Sequence, residues 1–127
     1  LGRSMHHQQN AEKRKHALPE KWNRLCFPNG LRPDESKRIL SRENTRVLHF
    51  AGPIKPWQEW CNPVISSFWW RHAEKLGVKG LAPVRITTIE QALESARTLD
   101  ANEMYREASR TKGVIINSLL RQRPQAG

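Results

Sequence analysis

Apolar residues recur along this chain in two rhythms. Two short stretches carry them at close spacing: Arg24-Leu25-Cys26-Phe27, and Thr45-Arg46-Val47-Leu48-His49-Phe50. The second is rich in β-branched and apolar residues and reads as a buried strand, and the first as a shorter one. Elsewhere the spacing is helical. Val64, Ile65, Phe68, Trp69, His72 and Leu76 share one face, with Asn62 as N-cap, Pro63 in the first helical position and Gly77 as terminator. Ile89, Ala92, Leu93, Ala96 and Leu99 form a second such face, opened by a capping box of Thr88 and Gln91. Asp100-Ala101-Asn102 breaks that helix, a further helix runs from Glu103 to about Arg110, and Gly113 marks another break before Val114 to Leu120.

The polar positions set the punctuation. Residues 1–17 are polar and basic and read as a flexible lead, with His6 and His7 as surface histidines. Pro19 holds Leu18 extended. Pro28-Asn29-Gly30 is a turn signal, with Gly30 free to take a positive φ. Either Asp34 or Ser36 is positioned to cap a short helix through Leu40. Residues 78–86 read as a loop with room for a short strand. The chain therefore divides into a lead (1–17), a central segment (18–77) and a helical basic tail (78–127), and the pattern is mostly helical with a few short strands.

At 127 residues the chain is long enough to bury a core, yet its apolar fraction of 37% is low. It begins with Leu1, which is expected of a truncated or processed chain. The formal charge is +10. Residues 1–46 carry 11 Lys and Arg against 5 acids and residues 47–127 carry 11 against 7, so the excess is spread and not confined to a tail. Such a surface attracts phosphates, nucleic acid or an anionic membrane face. Cys26 and Cys61 match no CxxC spacing and are expected to be buried thiols in a reducing compartment. No stretch approaches the roughly 20 apolar residues of a membrane span, and residues 1–17 lack the hydrophobic run of a signal peptide.

The candidate chemistry lies in His49-Phe50-Ala51-Gly52-Pro53-Ile54-Lys55-Pro56-Trp57, which follows the second strand directly. Ligands of open α/β sheets sit beyond the C-terminal ends of strands. His49 offers an imidazole, a common ligand of divalent transition metals. Gly52 leaves the backbone bare for the approach of a phosphate. Lys55, biased to an extended conformation by Pro56, offers a compact cation to phosphate oxygens. Trp57 is a flat anchor for the loop. Together they suit a metal-bound diphosphate.

The segment resembles the His-x-x-Gly-x-x-Lys-Pro-Trp motif of glycosyltransferase family 8, the glycogenin and lipopolysaccharide galactosyl- and glucosyltransferase group. Leu18-Pro19-x-x-Trp22-Asn23 also resembles an upstream element of that family. The resemblance covers roughly residues 18–75. It implies an α/β architecture, the C-terminal fragment of a GT-A (Rossmann-like nucleotide-diphospho-sugar transferase) fold. It further implies retaining transfer of a hexose from a UDP-sugar with manganese as cofactor, to a glycan or lipid-linked acceptor as in lipopolysaccharide biosynthesis. On this resemblance His49 is a metal ligand, and Gly52 and Lys55 contact the donor diphosphate. The expected location is cytoplasmic, with a peripheral contact at the inner membrane face to which Trp60, Trp69, Trp70, Arg71, Lys75 and Lys79 are suited.

The departures matter equally. The family's Asp-x-Asp ligands have no counterpart here, since only Asp34 and Asp100 occur. The expectation is therefore a segment that supplies one metal ligand and part of the diphosphate cradle and is inactive alone. Two alternatives stand beside it: a small basic nucleic-acid-binding module, against which no recognised nucleic-acid motif is present, and a non-catalytic remnant.

Overall fold

The computed structural model describes residues 19–77 and 79–123. The flexible-lead expectation for residues 1–17, with His6 and His7, lies outside them. The described residues form a small mixed domain of the α/β kind. Strands β1 (Arg24–Cys26) and β2 (Leu48–Phe50) are joined by helix α1 (Pro33–Leu40), and helices α2 (Pro63–Lys75), α3 (Ile89–Ala101) and α4 (Tyr105–Gln122) follow.

The strands pair in parallel, with Leu25 opposite His49 and Cys26 opposite Phe50. Parallel neighbours cannot be joined by a tight turn, so the chain must cross over, and α1 lies in that crossover. The alternation of side chains sends Leu48, Phe50 and Cys26 inward. There Cys26, Cys61 and Ile65 form a buried cluster with Leu31, Leu40 and Ile54 around it. Leu25 and His49 face outward and are exposed.

The second strand is shorter than its sequence pattern predicts. Thr45 to Val47 precede it without strand pairing on the β2 register, and Val47 is half exposed. The amides of Arg46 and Val47 instead both reach the Lys21 carbonyl. With only one neighbouring strand, β-branched residues at that end find no second face to bury against.

Helix α1 begins at Pro33, so Asp34 and Glu35 sit in its first turn and neither Asp34 nor Ser36 is the cap. Proline suits that first position, and the Glu35 carboxylate accepts from the Arg32 amide at 3.3 Å, closing the helix start from inside. Gly30 does not take a positive φ. Pro28–Gly30 forms a single 3₁₀ turn closed by Gly30 N–H donating to the Phe27 carbonyl at 3.1 Å.

Helix α2 follows its sequence signals. The Asn62 side-chain Oδ1 accepts from the Val64 backbone N–H at 3.0 Å, and Gly77 adopts φ +68° beyond its end. Of its predicted apolar face only Ile65 is fully buried, and Leu76 stands in solvent. Trp60 belongs to the core, which removes it from any membrane-facing role. Trp69 and Trp70 are both half buried, contacting each other edge-on at 4.9 Å. Between α2 and α3, Val84 makes one isolated parallel bridge with Gln58.

The capping box of α3 is present, with the Gln91 amide donating to Thr88 Oγ1 at 3.1 Å. Its buried positions are Ser95, Ala96 and Thr98, while the predicted core residue Leu93 is exposed. The predicted break at Gly113 does not occur, and α4 runs unbroken from Tyr105. A glycine within a helix costs only about 1 kcal/mol, which packing of Ala108 and Ile115 against α3 offsets. The real break lies at Asn102–Met104, where Glu103 takes φ 61°. No helix among the described residues is long and apolar enough to cross a membrane.

Asn62 is completely buried and joins three parts of the chain: its side chain donates to the Pro28 carbonyl at 2.9 Å and to Ser36 Oγ at 3.2 Å while capping α2. Replacing it removes a cap and strands buried partners. Asn62→Ala is expected to cost about 2–4 kcal/mol in urea unfolding, and a loss below about 1 kcal/mol would mean that water replaces the amide. Both cysteines are free and buried. Burial pushes the Cys26 thiol up to about 11, and burial followed by proximity to Cys26 pushes Cys61 up to about 12. Raised folded values mean that the folded state holds these protons more tightly. Their contribution to stability is intact below the ordinary thiol value of 9.0 and is lost as pH rises through the folded values. Alkylation at about pH 8 is expected to run at least 100-fold slower than for a free thiol and to recover that rate in urea.

Candidate functional site

Both strands end at one cleft. After β1 the chain passes through Phe27, Pro28, Asn29 and Gly30, and after β2 through Ala51, Gly52, Pro53 and Ile54, and these two turns line a cleft of about 330 Å³. Glu94 and Arg97 of α3 complete its wall.

The β2 turn depends on Gly52. Its φ of +83° lies in the region that favours glycine, and a Cβ there would come within 3.2 Å of the Phe27 ring. The ring therefore lies over the bare backbone at the position where the sequence pattern asked for one. Lys55 does not line the cleft. Its ammonium donates to the Phe50 carbonyl at 3.0 Å, which holds it at the C-terminal end of β2, one residue beyond His49. An ammonium has three donors, so two remain. The Lys55 amide donates to Gln58 Oε1 at 2.8 Å, and Ser66 Oγ donates to the carbonyl of the buried Pro56 at 2.9 Å. The loop is thus tied at three points. Trp57 is partly exposed and meets Trp69 of α2 in a tilted contact, with ring centroids 5.4 Å apart and planes at 55°.

His49 stands exposed on the outer face of the strand pair beside Leu25, outside the cleft lining. Among the described residues no three His, Cys, Asp or Glu side chains converge on one point. His49 is accordingly a single accessible donor and not part of a formed ligand set.

The cleft wall holds three residues that the sequence did not single out. Asn29 Nδ2 donates to the Trp60 carbonyl and to Glu94 Oε1, each at 2.8 Å, and its Oδ1 accepts from the Asn62 amide at 2.6 Å. Arg97 grips Glu94 through Nε at 3.1 Å and through Nη2, which also donates to the Asn29 carbonyl at 3.0 Å. Within the sequence, Glu94 and Arg97 look like an ordinary pair on a solvated helix face. Their partner lies more than 60 residues away, inside what reads as a plain turn. No local signal distinguishes them.

No family model, no curated protein and no solved structure matches this chain.

The hydrogen bonds from Arg97 hold the Glu94 carboxyl below its ordinary value, and Asn29 adds to this. A lowered folded value means stability that is present above the ordinary carboxylate range and is lost as pH falls through the folded value. Glu94→Gln is expected to be less stable than the parent chain near about pH 7, with the gap closing as pH drops below the usual value of 4.5. Thermal melting across that interval measures it. A gap of constant size would mean that the charge of Glu94 contributes nothing.

Proposed function

We propose that this chain is a segment of a metal-dependent retaining glycosyltransferase of the family 8 kind, with a GT-A architecture, acting on a UDP-hexose. The observation that carries this reading is the course of the His49–Trp57 element, which leaves the C-terminal end of β2 through a glycine turn at positive φ and ties Lys55 back to that strand end. The Leu18–Asn23 element leads into β1 and the His49–Trp57 element leaves β2, and β1 and β2 are parallel neighbours. The two elements therefore belong to neighbouring strands but lie at opposite ends of the pair, with the Lys21 carbonyl beside Arg46 and Val47 at the entry end and Gly52 and Lys55 at the exit end. The positive φ of Gly52 and the tethering of Lys55 at the strand end support the diphosphate role of both. The exposed outer face agrees as well. Parallel strands are ordinarily covered on both sides, and here Leu25 and His49, with Trp22, Phe27 and Val47 nearby in sequence, are exposed. A larger nucleotide-binding domain would cover that face and bring further ligands to His49.

The residues present fit part of the metal site. The imidazole of His49 is accessible and chemically suited to manganese, whereas the remaining ligands would come from carboxylates that this sequence lacks. Bound metal would supply Lewis-acid stabilisation of the departing UDP. Gly52 supplies the positive φ of the turn, but the Phe27 ring lies over its bare side, so that side would open to a diphosphate oxygen only if the ring moved away. Lys55 Nζ, with one donor on the Phe50 carbonyl, would have two left for charge that develops on the leaving phosphate, where a fixed cation is most effective. The acceptor would be a glycan or a lipid-linked sugar at the cytoplasmic face of a membrane.

The 127-residue chain is expected to bind Mn²⁺ and UDP weakly together and to transfer no sugar. Paramagnetic broadening by Mn²⁺ in ¹H–¹⁵N spectra, recorded with UDP, should centre on His49 to Gly52 and vanish in His49→Ala. Sugar transfer by the chain alone would overturn the segment reading. Broadening that ignores His49→Ala would overturn the ligand role.

A further inference from the structure

The N-terminal end of β2 holds a second depression, of about 410 Å³, at the opposite end of the strand from the motif turn. Its floor is apolar, made by Ile39, Leu40, Leu48 and Phe68. Its rim is basic: Arg42 and Arg46 from the α1–β2 connection, and His72 and Lys75 from the last turns of α2. No carboxylate lines it, and among the described residues none lies in ion-pair range of Arg42, Arg46 or Lys75.

Part of this charge has a structural reason. Lys75 and His72 complement the carbonyl end of α2, and His72 Nδ1 lies 2.9 Å from the Phe68 carbonyl, leaving Nε2 as its outward atom. Arg42 and Arg46 have no such reason. They lie in a connection, exposed, on the same depression as two further basic groups, and self-repulsion opposes that grouping. Guanidinium groups are suited to forked recognition of phosphate oxygens. An apolar floor beneath such a rim suits a ligand with both an oxyanion and a hydrophobic body.

We propose that this depression binds a phosphate ester, with the oxyanion held by Arg42, Arg46 and Lys75 and an apolar or aromatic body resting on Leu40, Leu48 and Phe68. The site shares none of the motif residues His49, Gly52 and Lys55, and has only Lys75 in common with the residues suited to a membrane face. A soluble phosphate ester and a lipid phosphate headgroup present the same chemistry.

The test is titration of the chain with phenyl phosphate and with glycerol 3-phosphate, followed in ¹H–¹⁵N spectra, for the parent and two double variants of equal charge. Saturable shifts should centre on Arg42 to Leu48 and His72 to Lys75, and phenyl phosphate should shift Phe68 as well. Arg42→Ala with Arg46→Ala should weaken binding by at least about tenfold, while Arg106→Ala with Arg110→Ala, on α4, should leave it nearly unchanged. Equal weakening by both pairs would reduce the effect to net charge and overturn the proposal, as would the absence of saturable shifts for both soluble esters and for vesicles containing phosphatidic acid. Shifts with those vesicles, absent with phosphatidylcholine alone and with the soluble esters, would assign the site to a lipid headgroup. Shifts with the soluble esters would assign it to a free phosphate ester. Melting curves of both variants confirm that each is folded.

Discussion

Two buried amides, Asn29 and Asn62, hold this fold together. Asn62 N–H donates to Asn29 Oδ1, and the two side chains between them reach Pro28, Ser36, Trp60, the start of α2 and Glu94. The exit of β1, helix α1, the entry to α2 and helix α3 therefore meet at one hydrogen-bonded junction. A small apolar cluster of Cys26, Cys61 and Ile65 lies alongside. With so little apolar burial, a satisfied polar network is what selects one arrangement of these elements. Its low-dielectric setting makes each unmade bond costly.

That junction also determines the site. Asn29 positions Glu94 and Arg97, which turns α3 from a distal helix into a cleft wall. Across the cleft, the backbone at Gly52 can take its positive φ because no Cβ meets the Phe27 ring. Lys55 folds back onto the carbonyl of Phe50, so the cation is set by the strand itself and not by a mobile loop. The two ends of β2 thereby acquire different characters. One opens on a glycine turn with a tethered lysine, and the other on an apolar floor with a basic rim.

Much of the local structure was legible in the sequence, for stated reasons. Asn62-Pro63 and Thr88-x-x-Gln91 are helix starts whose bonds close within three residues, so nothing distant can override them. The expectation of buried thiols was met at both cysteines. Helix interiors were less legible. Gly113 was read as a break because propensity was weighed without packing, and Ile115 and Ala108 against α3 reverse that balance. The apolar face of α3 includes Leu93, yet Leu93 is exposed while Ser95, Ala96 and Thr98 are buried, because which stripe of α3 is covered depends on where α4 lies.

The sequence by itself determined the caps of α2 and α3, the presence of two short strands and the glycine turn after β2. It could do so because caps, turns and strand periodicity are short-range properties of the backbone. Only the tertiary structure decided that the two motif elements belong to neighbouring strands and lie at opposite ends of them, that Glu94 and Arg97 belong to the cleft, that Trp60 is core and that four basic groups share one depression. Those outcomes rest on contacts between residues far apart in the chain, held through a pair of asparagines that locally resemble any turn and any cap.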